Sequence, residues 1–401
     1  MTSRAGHGHD DIHDVIVVGL GAMGSAAAFH LARRGARVLG LDRFAPPHDR
    51  GSSHGRSRII REAYFEDPLY VPLVRRAYEL WEELEIATGA QIFRQTGGLM
   101  LGPRDGTVVA GALARARQHG LPVEELSAPE VARRFPGFRP TVDMVGVWEP
   151  RAGYLVPERA VAAHLALAAR HGAELRTGES VLRWEAGGDR VEVATAGGAT
   201  YVARRLVLAA GAWMRDLLGP ALDLPLVVER QVQHWFRPAR DAELFAPERF
   251  PIFICEHAPG RAWYGFPDAG DGVKAALHHQ GEPAADPSAL RREVAPAEVD
   301  AVRALLRTFL PAADGPRLES TVCMYTNTPD EHFVLDVHPA HPEVVVASPC
   351  SGHGFKFSSA IGELVADLAT SGRTGFDLTP FRVSRFPARS ATADRRGSSS
   401  V

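Results

Sequence analysis

Cysteine is scarce in this chain: Cys255, Cys323 and Cys350 are the three among 401 residues. They are too few and too scattered for a disulfide framework or a zinc motif, so no metal is expected and a reducing compartment, the cytoplasm, is the default. Long apolar runs are also lacking, and no stretch approaches the length of a membrane span. The opening MTSRAGHGHDDIH has no apolar region of the kind a signal peptide carries. Charge of one sign is not in excess: the formal net charge is −3, which gives no reason to expect nucleic acid or an anionic membrane as partner. No internal repeat stands out. The apolar share of 45% and charged share of 23% are those of an ordinary globular protein, and the length suits two domains.

The most informative stretch is DVIVVGLGAMGSAAAFHLARRGARVLGLD, residues 14–42. Val15–Val18 reads as a buried parallel strand, Ala26–Arg34 as a helix stopped by Gly35, and Val38–Leu41 as a second strand ending on Asp42. Gly19, Gly21 and Gly24 stand between strand and helix at GxGxxG spacing. The first permits a tight turn, the second lets backbone approach a pyrophosphate, and the third lets helix pack close to strand. The helix N-terminus offers free N–H groups to phosphates, and Asp42 can accept from a ribose hydroxyl. An acid at this position disfavours a 2′-phosphate, leaving FAD and NAD. Ala22 and Met23 within the motif, Arg43 beside the acid, Ser53 in the next loop, and Val181 and Gly211 further on are counted with the same cofactor site.

The loop RFAPPHDRGSSHGRSRIIREAYFED is dense in His48, His54, Arg56, Arg58 and Arg61. A loop leaving the C-terminal end of a parallel strand faces the ligand crevice, where positive charge can hold a carboxylate or an electron-rich flavin. Tyr70–Thr88 is an amphipathic helix, Ile92–Leu101 a strand with a central turn, and Ser127–Glu130 a capping box. Arg205–Gly211 returns to a buried strand ending in a small-residue turn. This return makes the first domain discontinuous and favours FAD over NAD. Leu226–Phe236, Ile252–His257, Ala262–Phe266 and Gly272–His278 alternate like a mostly antiparallel sheet. Near the end, the turn Gly352-His-Gly354 opens a helix whose first turn holds Phe355 and Lys356, a cationic arrangement suited to a flavin edge.

SSHGRSRIIREAY, YGFP, CMYTNTPDEHF and SGHGFKFS, in this order, resemble the monomeric sarcosine oxidase family, which includes N-methyl-L-tryptophan and L-pipecolate oxidases. The likeness runs from about Asp14 to Phe386. It implies an α/β (α+β) two-domain fold, with a Rossmann-type FAD-binding domain and a second, mostly antiparallel-sheet substrate domain. On that basis residues 14–90, 150–222 and 320–386 form the FAD-binding domain, 91–149 and 223–319 the substrate domain, and 1–13 and 387–401 are disordered. The resemblance implies FAD joined covalently to Cys323, whereas a lone cysteine by itself reads as a small buried hydrophobe. It also matches Arg61 and Lys356 to a clamp for the substrate carboxylate and Arg58 to the flavin ring. Lys274 matches a lysine that activates oxygen, and Tyr264, Tyr325, His54 and His278 match residues lining the site. Four positions depart from what the resemblance implies: Pro349-Cys350 stands for the family's usual Gly-Phe pair, Arg56 for an acid of bacterial sarcosine oxidases, and Ile254 for a methionine of the bacterial sarcosine enzyme.

The implied activity is oxidation of a secondary amino acid such as sarcosine by oxygen, releasing hydrogen peroxide and an imine that hydrolyses, from a monomer whose partners are small molecules. A cyclic substrate of the pipecolate type and N-methyl-L-tryptophan are alternatives within the family. A flavin dehydrogenase passing electrons to a partner, or a non-catalytic flavin-binding module, is the alternative from another class.

Overall fold

The computed structural model describes residues 12–219 and 222–386. The disorder expected for residues 1–13 and for the tail from 387 falls almost wholly outside these. His13, which that expectation included, already belongs to the first strand.

An eight-stranded sheet carries the N-terminal motif. Its centre is parallel, in the order Glu174–Thr177, Val38–Asp42, His13–Val18, Thr200–Leu208 and His341–Ser348. The returning strand Thr200–Leu208 lies beside His13–Val18, pairing Val18 with Leu208, so a segment nearly two hundred residues away completes the sheet that carries the N-terminal glycines. Val334–His338 adds an antiparallel edge, as do Val181–Gly187 and Arg190–Thr195. The helix Ala22–Arg33 packs between Pro157–Arg170 and Ser358–Ser371. The central strands are apolar on both faces because helices or loops cover both, and each fully buried Val, Ile or Leu contributes roughly 1.5–3 kcal/mol.

A nine-stranded sheet forms the second layer. In order it runs Glu282–Ala284, Val227–Phe236, Val273–Leu277, Arg261–Phe266, Ile252–Ala258, Gly98–Pro103, Met144–Glu149 and Glu124–Ser127, and Arg317–Asn327 also pairs with Val227–Phe236. All its pairs are antiparallel except Ile252–Ala258 with Gly98–Pro103. One face is packed: Phe253, Cys255, Trp263, Val273 and Ala275 meet Val302, Leu306 and Phe309 of the helix Pro296–Phe309. The alternate residues point the other way.

Three local expectations change. The domain boundary placed at 320 falls inside Arg317–Asn327, which pairs along its length with Val227–Phe236 and so belongs to the second sheet. Ile92–Leu101 is two strands in different sheets, Phe93–Gln95 and Gly98–Pro103, because the turn between them redirects the chain. Lys356 lies in a 3₁₀ turn, Phe355–Phe357, one step before the α-helix Ser358–Ser371 begins. The capping box at Ser127 and Glu130 and the helix Tyr70–Thr88 stand where the sequence puts them.

Candidate active site

One cavity runs from the N-terminal glycines, between the two large sheets, to the second sheet's free face. At its nucleotide end, Gly19 has φ +89°, and a Cβ there would lie 2.5 Å from the Ala209 carbonyl oxygen. A Cβ on Gly24 would lie 1.7 Å from the Gly19 oxygen, so helix and turn touch backbone to backbone. The helix has no side-chain N-cap at Gly21, and its first N–H, that of Ala22, is held by Ser53 Oγ at 3.2 Å. Asp42 is buried and pre-aimed: Oδ2 accepts from the Leu20 N–H at 2.7 Å and Oδ1 from the Phe44 N–H at 2.8 Å. Arg43 stacks over Phe44 and Trp213 at 5.2 and 5.1 Å. Met23, Val181 and Gly211 complete this end of the wall. A cradle that any side chain would fill, beside an oriented acid and a helix terminus with no N-cap side chain, fits FAD.

Further in, Cys323 is buried, and Arg58 Nη2 lies 3.4 Å from its sulfur. The guanidinium is fixed by the carbonyls of Ser57 and Ser52, both at 2.8 Å. Burial opposes the thiolate, but Arg58 and a hydrogen bond with His54 outweigh it and bring the thiol down to about 6. The other two cysteines go the opposite way. Burial pushes Cys255 up to about 12 and Cys350 up to about 11.

Arg61 is 1% exposed, and its guanidinium lies over Tyr64 and Phe65 at 4.5 and 4.3 Å. Its Nη2 contacts both carboxylate oxygens of Glu66, at 2.7 and 2.6 Å. Burial opposes the Glu66 charge, but Arg61, His353 and Lys356 overcome this and hold the carboxyl below its usual range. Lys356 Nζ donates to the His353 carbonyl at 2.7 Å. Burial and the Arg61 charge bring Lys356 down to about 7, against the pull of Glu66.

The second sheet's alternation supplies the opposite wall. Tyr264 and Phe266, Cys323 and Tyr325, Ile254, Gln233 and Lys274 share one face through the registers Tyr264–Ile254, Phe266–Lys274–Trp235 and Cys323–Gln231. His278 Nδ1 lies 3.3 Å from the Tyr325 hydroxyl, and its ring meets Tyr264 edge-on. Burial, with His279, His353, Lys356 and Arg61 nearby, drives His278 well below its usual value, so the imidazole is neutral. Lys274 is 1% exposed, and its Nζ donates to the carbonyls of Gly55 at 2.7 Å and Ser57 at 3.0 Å and to Ser57 Oγ at 3.1 Å. Burial and Arg58 lower Lys274 well below the ordinary lysine range.

The cavity wall includes Arg58, Arg61, Tyr264, His278, Cys323, Tyr325, Gly352, Gly354, Phe355 and Lys356 beside the nucleotide-end residues. Three of the sequence-predicted residues stand behind it. Gly24 lies under Gly19, His54 lies beside Cys323, and Lys274 lies behind the Gly55–Ser57 turn. Sequence reasoning passed over Glu66, Gln233 and Trp213, which also reach the cavity. It also passed over a count: of 45 lysines and arginines only two are lysine, Lys274 and Lys356, and both are buried here. Arginine serves everywhere else, and an ammonium, unlike a guanidinium, is compact and can lose its proton when buried.

The family model described as FAD dependent oxidoreductase matches residues 14–368. Monomeric sarcosine oxidase of Streptomyces avermitilis is 50% identical over 383 residues, covering 94% of this chain and 99% of that protein. N-methyl-L-tryptophan oxidase of Citrobacter koseri is 37% identical, covering 93% of this chain and 99% of that protein. Among solved structures, NikD, an unusual amino acid oxidase essential for nikkomycin biosynthesis, superposes with a TM-score of 0.83 at 29% identity, covering 93% of this chain and 97% of that one. With the family model matching residues 14–368 and these relatives covering nearly the whole chain, this chain belongs to the FAD dependent oxidoreductase family, among the monomeric sarcosine oxidases and their N-methyl-L-tryptophan oxidase kin.

Proposed function

We propose that this protein is an FAD-dependent oxidase of a secondary, N-methyl amino acid, with oxygen as electron acceptor and hydrogen peroxide as product. The observation that carries the reading is Arg61, a buried guanidinium on the cavity wall with a carboxylate already against it. Arg61 and Lys356 together make a clamp for an amino acid carboxylate, one planar and one point-like. Gly19, Gly21, Ala22, Gly24, Ser53 and Asp42 would hold FAD, which when bound supplies the electron-accepting chemistry.

Carboxylate docking on Arg61 and Lys356 orients the amine and its adjacent C–H, so the chain works by positioning rather than by acid–base transfer. The cations around the pocket disfavour an ammonium, so the bound substrate amine is neutral. Neutral His278, held on Tyr325, can accept the amine's hydrogen bond. Tyr264, Phe266 and Ile254 exclude water from the C–N bond. Lys274 stabilises the negative charge that develops on oxygen. Water hydrolyses the resulting imine to an aldehyde and an amine.

Cys323, with its lowered thiol and the adjacent Arg58, is the proposed covalent attachment point. The eight-stranded sheet is the proposed FAD domain and the nine-stranded sheet the substrate domain. All three cysteines are free, and the working assignment is a cytoplasmic monomer. Among the described residues no helix is long and apolar enough to cross a membrane.

The test is anaerobic bleaching of the purified yellow holoenzyme by sarcosine, N-methyl-L-tryptophan, L-pipecolate and L-proline. Bleaching by an N-methyl compound, with colour and peroxide returning on admission of air, is the expected result. Bleaching by none of the four would sink the amino acid reading.

A further inference from the structure

Lys274 does not stand alone behind the cavity wall. Its ammonium is held by the carbonyls of a three-residue turn, Gly55–Ser57, in which Arg56 has φ +67° without being glycine. Such a backbone is strained for an arginine and persists only when something over-determines it. That something is Glu158, in the first turn of the helix Pro157–Arg170, where the dipole favours its charge. Glu158 Oε1 accepts the N–H of Gly55 at 2.7 Å and the N–H of Arg56 at 3.0 Å. The Gly55 carbonyl and the Arg56 N–H belong to one peptide unit. Carboxylate, peptide dipole and ammonium therefore lie in series: Glu158 to the Arg56 N–H, and the Gly55 oxygen to Lys274 Nζ.

We propose that Glu158 is a positioning residue for Lys274: it fixes the turn that presents two carbonyl oxygens to the buried ammonium, and its charge reaches that ammonium through the Gly55–Arg56 peptide. The inference rests on the proposed role of Lys274 in stabilising charge on oxygen from behind the cavity wall, but the link between the two residues is separately measurable. Other charged groups face Lys274 and set the background: Arg58 opposes its protonation, while Cys323, Glu158 and Asp271 favour it. Arg56 closes the outside, lying over Trp235 at 4.9 Å and paired with Glu319 and Asp271, while Lys274 Nζ lies 5.2 Å from the same ring.

The scarcity of lysine makes the test clean. Holoenzyme carrying lysine labelled with ¹³C at Cε has two lysine signals, assigned with Lys356→Met. In Glu158→Gln, the Lys274 signal is expected to titrate at a pH lower by about 0.5–1, while the Lys356 signal stays where it is. Glu158→Asp, which keeps the charge but draws it back by one methylene, is expected between wild type and Gln. It also serves if the Gln variant fails to yield folded holoenzyme. A Lys274 signal that matches wild type across about pH 6–10 in the folded variants overturns the proposal, as does an equal movement of both lysines.

A second readout separates this from the reading it rests on. Reduced Glu158→Gln holoenzyme is expected to react with oxygen about 3–10-fold more slowly near neutral pH, with anaerobic reduction by substrate within about 2-fold of wild type. In a Lys274→Met background the Glu158 effect on oxygen is expected to vanish, and its persistence there overturns the proposal. If Lys274→Met alone leaves the oxygen rate at wild type, the oxygen role of Lys274 fails, and the NMR titration alone decides the positioning link.

Discussion

Arg61 Nη2 lies within 2.7 Å of both carboxylate oxygens of Glu66, so the guanidinium proposed to grip a ligand carboxylate is already holding one from its own chain. The pair is five residues apart and sits where the cavity meets the loop Glu62–Asp67. A ligand carboxylate must therefore compete with Glu66 for Arg61. Glu66→Gln is expected to tighten a simple carboxylate inhibitor by about 3–10-fold, the size of one charge-assisted contact in competition. Titration of the inhibitor against the flavin spectrum measures this. Unchanged or weaker binding would show that Glu66 is not a competitor.

Lys356 links the same site to pH. Its folded value is lowered to about 7, so the second cation of the proposed clamp is present below that pH and lost as pH rises through it. Binding of a non-titrating carboxylate is expected to weaken by about 10-fold between about pH 6 and pH 9, then level off when Arg61 alone remains. In Lys356→Met the same titration should be flat and weak. A steep profile in that variant would assign the dependence to another group.

Cys323 should react where the other cysteines do not. With a thiol near 6 beside Arg58, against about 12 and 11 for Cys255 and Cys350, it is the one present as thiolate at neutral pH. Acid precipitation of wild type is expected to leave a yellow pellet, and Cys323→Ser to leave the colour in the supernatant. A colourless wild-type pellet would remove the covalent link from the proposed function.

The nucleotide cradle leaves no room for a methyl group. Gly24→Ala places a Cβ 1.7 Å from the Gly19 oxygen, a clash with backbone rather than with a movable side chain. The helix must shift away from the turn, at a cost of a few kcal/mol or more. The expected outcome is loss of bound FAD, read as the ratio of flavin to protein absorbance, together with a lower melting temperature. A fully loaded Gly24→Ala protein would contradict the cradle geometry.

The glycine-rich segment was legible from sequence because its chemistry is local: strand, turn, helix and acid follow one another within residues 14–42. The second sheet was legible as alternation, since period 2 is visible without knowing partners. The boundary expected at 320 cuts a strand because sheet membership is a pairing between distant strands, and Arg317–Asn327 shows nothing locally that names Val227–Phe236 as its neighbour. Glu66 and Glu158 were passed over for a similar reason. Each reads as one more acid on a loop or a helix start, and each is singled out only by what folding sets against it.

By itself, then, the sequence determined the nucleotide-binding turn, the two kinds of sheet and the residue types of the site, because backbone propensity and hydrophobic period act over a few residues. Only the tertiary structure decided which charges meet. Arg58 is set against Cys323 across 265 residues, Lys274 against the Gly55 carbonyl across 219, and Glu158 against the Gly55 N–H across 103. Charge and desolvation depend on separation in space and on exclusion of water, and neither exists until the two sheets close over the cavity.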